Sequence, residues 1–500
     1  MDPISSADIQ IRLARDNPWW ADPRTKIPET DFPRRVYFGP LKSLALDFTV
    51  RRATVMLGPR RVGKTFMIKQ LVAEAIVAGI DPRAIMYVSI DTPVYSGKSL
   101  EHFISLMPEV QKGTQRLVIF DEIQYLRNWE VHLKDLVDTY KDAKFIATGS
   151  AAAALKLKSQ ESGAGRFSDF MLPPLTFYEF LLFLEEDAKL ITISSNSRQA
   201  GKSSLSEYSP TNIDELNRRF IDYLNYGGYP EAVLNDAIRS NPEQFIRNDI
   251  IDKVLLKDLP SLYGIQEIQD LNKLFAFLAY NAGNEASYEN ISQESGITKP
   301  TIKRYIEYLE SAFLIIKVSN VDDNCRSLKR ERNFKIYLNN PSMRAALFAP
   351  VKTDDARMIG HLTESAIFSQ WQHSTSFKNL RYARWRNEGE VDIVFLSGAV
   401  QKPEWIGEIK WSDRAGRHMS DETKSMQTLL KRHASITSVF LTTKTILKDS
   451  TIEGRPFGVM PSALYCYTVG RNITQHLAGP FGIEMAAKQS AEPRKAMSRN

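Results

Sequence analysis

The stretch Thr54-Val-Met-Leu-Gly-Pro-Arg-Arg-Val-Gly-Lys-Thr-Phe66 constrains this chain more than any other, because a short apolar run leads straight into a complete G-x-x-x-x-G-K-S/T loop. The spacing has a physical reason. Gly58 and Gly63 let the backbone curl so that successive N–H groups point inward, and the helix that follows offers its positive N-terminal end to phosphate groups. Lys64 then reaches the β and γ phosphates and the Thr65 hydroxyl takes a coordination position on Mg²⁺, so Gly58, Pro59, Arg60, Arg61, Val62, Gly63, Lys64, Thr65 and Phe66 are the expected ATP contacts.

The second half of such a site follows downstream. In Gln115-Arg-Leu-Val-Ile-Phe-Asp-Glu-Ile-Gln124 an apolar strand runs into an acidic pair, which places Asp121 in the Mg²⁺ shell and Glu122 against the water that attacks the γ-phosphate. Lys144-Phe-Ile-Ala-Thr-Gly-Ser150 is a further strand with small polar residues at its end, where AAA-like ATPases carry a γ-phosphate sensor; Ser150 is the first candidate and Thr148 the second. Gly165-Arg166-Phe167, ahead of another apolar run, resembles the Arg-Phe pair before the last core strand of AAA ATPases. That resemblance makes Arg166 an arginine finger supplied to a neighbour's nucleotide, and so implies a homo-oligomer; a surface arginine paired with an acid is the competing reading.

A chain of 500 residues exceeds what one core usually holds, and 43% hydrophobic with 25% charged residues is the composition of a globular protein of two to three domains. No apolar span of membrane-crossing length is present, and Met1-Asp-Pro-Ile-Ser-Ser6 lacks the basic-then-apolar order of a signal peptide, so the expectation is a cytoplasmic protein without a membrane partner. Cys325 and Cys466 stand alone, which excludes a disulfide framework and a cysteine zinc site. With 65 basic against 59 acidic residues, the formal charge of +6 permits nucleic-acid binding without requiring it.

Along the chain, residues 1–36 read as a strap rich in Pro and aromatic residues, whose Trp19-Trp20 pair suits packing better than base stacking. Residues 37–190 alternate apolar strands with helical segments such as Lys64–Val77, the pattern of an α/β parallel sheet with ATP at the strand C-terminal ends. Residues 191–212 are Ser-rich and read as a mobile insertion, whose Gly201-Lys202-Ser203 lacks the upstream glycine and strand of a phosphate loop. A helical lid or connector over 213–269 comes next, and the tail at 487–500 reads as disordered.

Residues 270–345 give the order of a winged helix-turn-helix. An apolar helix, a short helix Tyr288–Ser295, Gly296, and then Thr298-Lys-Pro-Thr-Ile-Lys-Arg-Tyr-Ile-Glu-Tyr-Leu309 follow one another. Ile302, Tyr305, Ile306 and Leu309 recur at helical spacing and face a core, which leaves Lys299, Thr301, Lys303 and Arg304 outward as DNA contacts on the recognition helix. The same module in other settings binds proteins.

Residues 346–486 hold a third constellation. Arg381 to Leu396 places Glu390 and Asp392 on one face of a strand, and Glu404-Trp-Ile-Gly-Glu-Ile-Lys-Trp411 places Glu408 and Lys410 on one face of another. If these strands pair, Asp392 and Glu408 hold Mg²⁺ and activate a water while Lys410 positions the nucleophile or steadies phosphate charge; Glu364 on an upstream helix adds a third carboxylate. Glu-x-Lys alone is weak, since Glu422-Thr-Lys424 repeats it in a polar helix. The order Glu364, Gly389-Glu-Val-Asp392, Glu408-Ile-Lys410 resembles the PD-(D/E)-x-K, or restriction-endonuclease-like, nuclease core, whether active or retained only for binding.

Taken with Gly227-Gly-Tyr-Pro230, these motifs resemble one prokaryotic family: AAA-like ATPases with a winged helix and a C-terminal uncharacterised domain of restriction-endonuclease-like character. The resemblance covers about Arg35 to Tyr467. It implies ATP-dependent work on DNA, branched or invading DNA among the substrates, while Tyr337-Leu-Asn-Asn340 departs from the family where an Asp is expected. A nucleotide-controlled switch or scaffold that binds partners without cutting DNA is the alternative.

Overall fold

The structure, a computed structural model, describes residues 5–149, 165–193, 208–241, 243–322, 325, 333–385, 389–397 and 401–475. Ser150, most of the Ser-rich insertion and the tail from 487 lie outside the described residues. The chain divides into two compact units that do not follow its linear order: Met1–Pro174 with Tyr229–Phe275 and Lys303–Ile315, and Leu175–Gly228 with Ala276–Ile302 and Ile316–Asn500. The stretch 213–269 is therefore shared between the units.

In the first unit, helix α1 (Ser6–Asp16) precedes a five-stranded sheet built from β1 (Ala53–Leu57), β2 (Ile85–Ser89), β3 (Arg116–Asp121), β4 (Ala143–Gly149) and β5 (Phe167–Met171). The order across the sheet is β2-β3-β4-β1-β5 and every pairing is parallel. Every residue of β1 is buried, as a strand covered on both faces requires, which is why it reads as an unbroken apolar run. Helix α2 (Lys64–Val77) follows β1, and α3 (Trp129–Thr139) buries Trp129, Leu133, Leu136 and Val137 at helical spacing. The Trp pair of the N-terminal segment packs here: Trp19 is buried and both indole N–H groups donate to the Ile85 carbonyl, at 2.9 and 2.7 Å.

Along the chain after the five-stranded sheet come α4 (Ile268–Tyr280), β6 (Glu285–Ser287), α5 (Tyr288–Ser295), α6 (Lys299–Ser311), β7 (Ile315–Ser319) and β8 (Asn333–Leu338). The three strands form a sheet in the order β6-β8-β7, with β6 and β8 antiparallel. Gly296, at φ +75°, ends α5 in the left-handed conformation that turns the chain into α6. Ile302, Tyr305, Ile306 and Leu309 of α6 are buried, whereas Lys299, Lys303 and Arg304 are exposed and Thr301 is half-buried.

The second unit continues with α7 (Ala356–Trp371), β9 (Leu380–Trp385), β10 (Gly389–Leu396), β11 (Pro403–Glu408), α8 (Lys424–Arg432), β12 (Ser438–Thr443), β13 (Lys448–Ile452), β14 (Arg455–Pro461) and α9 (Ser462–Gln475). Its six-stranded sheet runs β9-β10-β11-β12-β14-β13. β10 is antiparallel to both β9 and β11, and β11, β12 and β14 are parallel. Val391, Val394, Ile406, Leu429 and Leu441 share its core. Among the described residues no helix is long and apolar enough to cross a membrane.

Candidate functional site

The phosphate loop closes around two glycines, one where a side chain would clash and one where it would be strained. A Cβ on Gly58 would lie 2.2 Å from the Leu172 carbonyl oxygen, and Gly63 sits at φ +94° where it starts α2. Arg35 ties the loop down, donating to the carbonyls of Val62 and Pro173 at 2.7 and 3.0 Å. Lys64 is 6% exposed and donates to the Gly58 and Pro59 carbonyls at 3.0 and 2.7 Å, so its ammonium rests on the loop that would cradle phosphate. Burial pushes its pKa down, against the pull of Glu122 and Asp121.

Parallel pairing of β3 with both β2 and β4 brings the acidic pair to the same strand ends. The Thr65 hydroxyl donates to Asp121 at 2.8 Å, Tyr87 donates to the same carboxylate at 2.8 Å, and Thr148 donates to its other oxygen. Thr148 also accepts the Glu122 backbone N–H at 3.2 Å. One hydroxyl thus touches both acidic residues. Glu122 adopts φ +53° and takes a hydrogen bond from Gln124, and burial raises its pKa above the ordinary carboxylate range, with Lys64 opposing. Thr65 and Asp121 side by side are the donor set that would hold Mg²⁺, which supplies charge neutralisation for the phosphates.

The two loop arginines do other work in this structure. Arg60 makes a two-point pair with Asp258 at 2.8 Å and donates to Tyr125 at 3.3 Å, while Arg61 pairs with Glu231 at 3.1 Å and Asp249 at 3.0 Å. They fasten the segment 229–263 against the loop, a role that G-x-x-x-x-G-K spacing does not announce. Phe66 is 44% exposed and meets the Phe32 ring edge-on, with centroids 5.2 Å apart. Arg166 precedes β5 and pairs with Asp138 at 2.5 Å. Because Phe167 registers with Ala53 and Met171 with Leu57, Arg166 lies at the opposite strand ends from the phosphate loop of its own chain.

In the second unit β10 and β11 pair antiparallel, with Ile393 opposite Gly407, and this brings Asp392 beside the end of β11. The Ile409 N–H donates to Asp392 at 2.9 Å. Lys410 donates to Glu408 at 2.6 Å and lies 3.6 Å from Asp392, its backbone held by Thr442 at 2.9 Å. From α7, Glu364 accepts a hydrogen bond from Tyr337 at 2.9 Å. Lys335 on β8 pairs with Glu390 and lies 3.8 Å from both Glu364 and Asp392. Asp392 and Glu408 are 6% and 8% exposed, and the second Glu408 oxygen is buried without a hydrogen-bond partner; among the described residues no three His, Cys, Asp or Glu side chains form a metal cage, so these two carboxylates are the ones that would hold a cation here. Lys335 and Tyr337 were legible as alternate residues of one strand face in Phe334-Lys-Ile-Tyr-Leu338, but nothing in that pattern says which site they meet.

Burial, reinforced by the charge of Asp392, pushes Glu364 up to about 7 and Glu408 up to about 8, while Lys410 is raised by Asp392 and Glu408 against its own burial. Both glutamates bind a proton in the folded chain at pH values where the unfolded chain has released it. Their contribution to stability is therefore present at acidic pH and lost as pH rises from about 4.5 through about 8. Glu408→Gln is expected to lose less unfolding free energy than the wild type between about pH 5 and 8, by on the order of 1–3 kcal/mol in denaturant titrations. Identical pH profiles by circular dichroism would remove the assignment.

Residues 50–181 match the family model of an AAA domain, and residues 217–355 match that of a domain of unknown function (DUF8612). An uncharacterized protein of Haemophilus influenzae is 27% identical over 276 residues, 54% of this chain and 62% of that protein, so the chain spans less than two thirds of that relative. An uncharacterized protein of Methanocaldococcus jannaschii is 25% identical over 360 residues, 70% of this chain and 73% of that protein. Among solved structures, a RuvB variant of Thermotoga maritima is 14% identical, covering 60% of this chain and 92% of its own at a TM-score of 0.28. AMPPCP-bound DnaA of Aquifex aeolicus is 13% identical, covering 55% and 85% at 0.26, and neither likeness bears on function. From the matched model, the phosphate loop and the acidic pair together, residues 50–181 form an AAA-like P-loop ATPase domain.

Proposed function

We propose that this protein hydrolyses ATP with Mg²⁺ to remodel, translocate on or process DNA, branched or invading DNA included, and that its C-terminal sheet is a restriction-endonuclease-like domain. One observation carries the reading. Helix α7 followed by antiparallel β9, β10 and β11 brings Glu364, Asp392, Glu408 and Lys410 to one place. In this reading Asp392 and Glu408 would hold Mg²⁺, which would supply an activated water for hydrolysis. Lys410, already oriented by both carboxylates, steadies the phosphate charge that builds up as the bond breaks.

The DNA grip is assigned to α6. The element order from α4 to β8 and the sheet order β6-β8-β7 support a winged helix, and the exposed Lys303 and Arg304 with Lys299 and Thr301 offer contacts to phosphate. Lys299 pairs with Glu289 in the free protein, so only part of this charge is unengaged. Lys303→Glu combined with Arg304→Glu is expected to weaken duplex binding by at least about tenfold and to reduce the salt slope by roughly two, as the loss of two phosphate contacts requires. Fluorescence anisotropy at several salt concentrations measures both, and an unchanged slope would contradict the grip.

Arg166, exposed and away from its own nucleotide, is proposed as the finger that reaches a second copy, with the homo-oligomer this entails. The pairs from Arg60 and Arg61 to Asp258, Glu231 and Asp249 favour a second reading, in which nucleotide state is passed to the segment 229–263 and the chain acts as a switch. Sedimentation of Glu122→Gln with and without ATP separates the two: assembly that depends on ATP while DNA leaves hydrolysis unchanged supports the switch.

A further inference from the structure

Lys335 is the residue of the carboxylate site that the nuclease reading leaves without a task. It comes from a different sheet, on the middle strand β8, and is 4% exposed. A buried ammonium is costly unless it is paired and hydrogen-bonded. Lys335 is paired with Glu390, lies 3.8 Å from Glu364 and 3.8 Å from Asp392, and has the Tyr382 ring 5.4 Å away. Two positions along, Tyr337 donates to Glu364. On the neighbouring strand β6, Glu285 accepts from Tyr382 at 2.8 Å and Arg384 at 3.4 Å. The small sheet is thus fastened to the rim of the site at both β6 and β8.

The charges do not balance. Glu364, Glu390, Asp392 and Glu408 face Lys335 and Lys410, and Arg384 lies 3.8 Å from Glu390 while it also pairs with Glu285, so four carboxylates meet three cations and negative charge is in excess when all are ionised. One oxygen of Glu408 is buried without a hydrogen-bond partner. Among the described residues no three His, Cys, Asp or Glu side chains converge into an open metal cage, and the two ammoniums stand among the carboxylates that would form one. A dication on Asp392 would face the Lys335 ammonium across a few ångströms of poorly solvated space, where like charges repel strongly.

We propose that Lys335 is a built-in counter-ion of the carboxylate site, holding Glu364, Glu390 and Asp392 in the metal-free protein and competing with the divalent cation for them. This rests on the reading of Asp392 and Glu408 as a metal site.

The test is calorimetric titration of the full chain with Mn²⁺, with Asp392→Ala identifying the heat that belongs to this site. Lys335→Met is expected to bind Mn²⁺ at least about tenfold more tightly than the wild type, and Lys335→Arg, which keeps the charge, no more tightly. Equal or weaker binding by Lys335→Met overturns the proposal. If neither wild type nor Lys335→Met binds Mn²⁺ in a manner sensitive to Asp392→Ala, the metal-site reading itself falls and this proposal falls with it. Should Lys335→Met fail to fold, reductive methylation of the wild type followed by peptide mass spectrometry decides. Mn²⁺ is expected to raise labelling of Lys335 severalfold, and labelling indifferent to Mn²⁺ overturns the proposal.

Discussion

Glu122→Gln is expected to lower the ATP turnover number by at least about a hundredfold while changing the affinity for ATP little. The amide keeps the shape of the carboxylate, and the bond that anchors this residue to Thr148 comes from the backbone N–H, so the substitution leaves the left-handed turn in place. What it removes is a buried group able to accept a proton from water. Phosphate release measured beside binding of a fluorescent ATP analogue separates the two effects. Turnover within a few-fold of the wild type would show that another group orients the water, and Thr148, which touches both Asp121 and Glu122, would be the next to test.

Asp392→Ala and Lys410→Ala are each expected to reduce Mg²⁺-dependent DNA cutting by at least about a hundredfold, the scale on which one preorganised group counts in a buried site. Asp392→Ala also takes a partner from Lys335 and Lys410 and leaves the Ile409 N–H without its acceptor, so it destabilises the fold as well. Asp392→Asn, which keeps a hydrogen-bond acceptor for Ile409, is the control for that loss. Cutting that survives in either alanine variant removes these residues from the chemistry.

The ATP site was legible because its chemistry forces sequence-local signals. A phosphate loop needs glycines at fixed spacing, Asp121 and Glu122 must follow an apolar strand, and a sheet buried on both faces gives runs such as Ala53–Leu57. The roles of Arg60 and Arg61 were not legible, since Asp258, Glu231 and Asp249 reach them only through the fold. The carboxylate site divides in the same way. Asp392 and Glu408 lie on adjoining strands whose alternation can be read, and Lys410 follows two residues after β11 ends instead of lying on the strand as expected, whereas Lys335 and Tyr337 arrive from another sheet and carry no spacing relation to them. Arg166 was read by resemblance, and the ion pair with Asp138 is what the competing reading anticipated for the free chain.

The most direct test of the central claim, that ATP hydrolysis at Gly58 to Thr65 serves work on DNA, is the steady-state ATPase rate of the purified protein with duplex, single-stranded and branched DNA. A severalfold rise with at least one of these, absent in the Lys303→Glu, Arg304→Glu protein, is predicted. A rate indifferent to all three would contradict it.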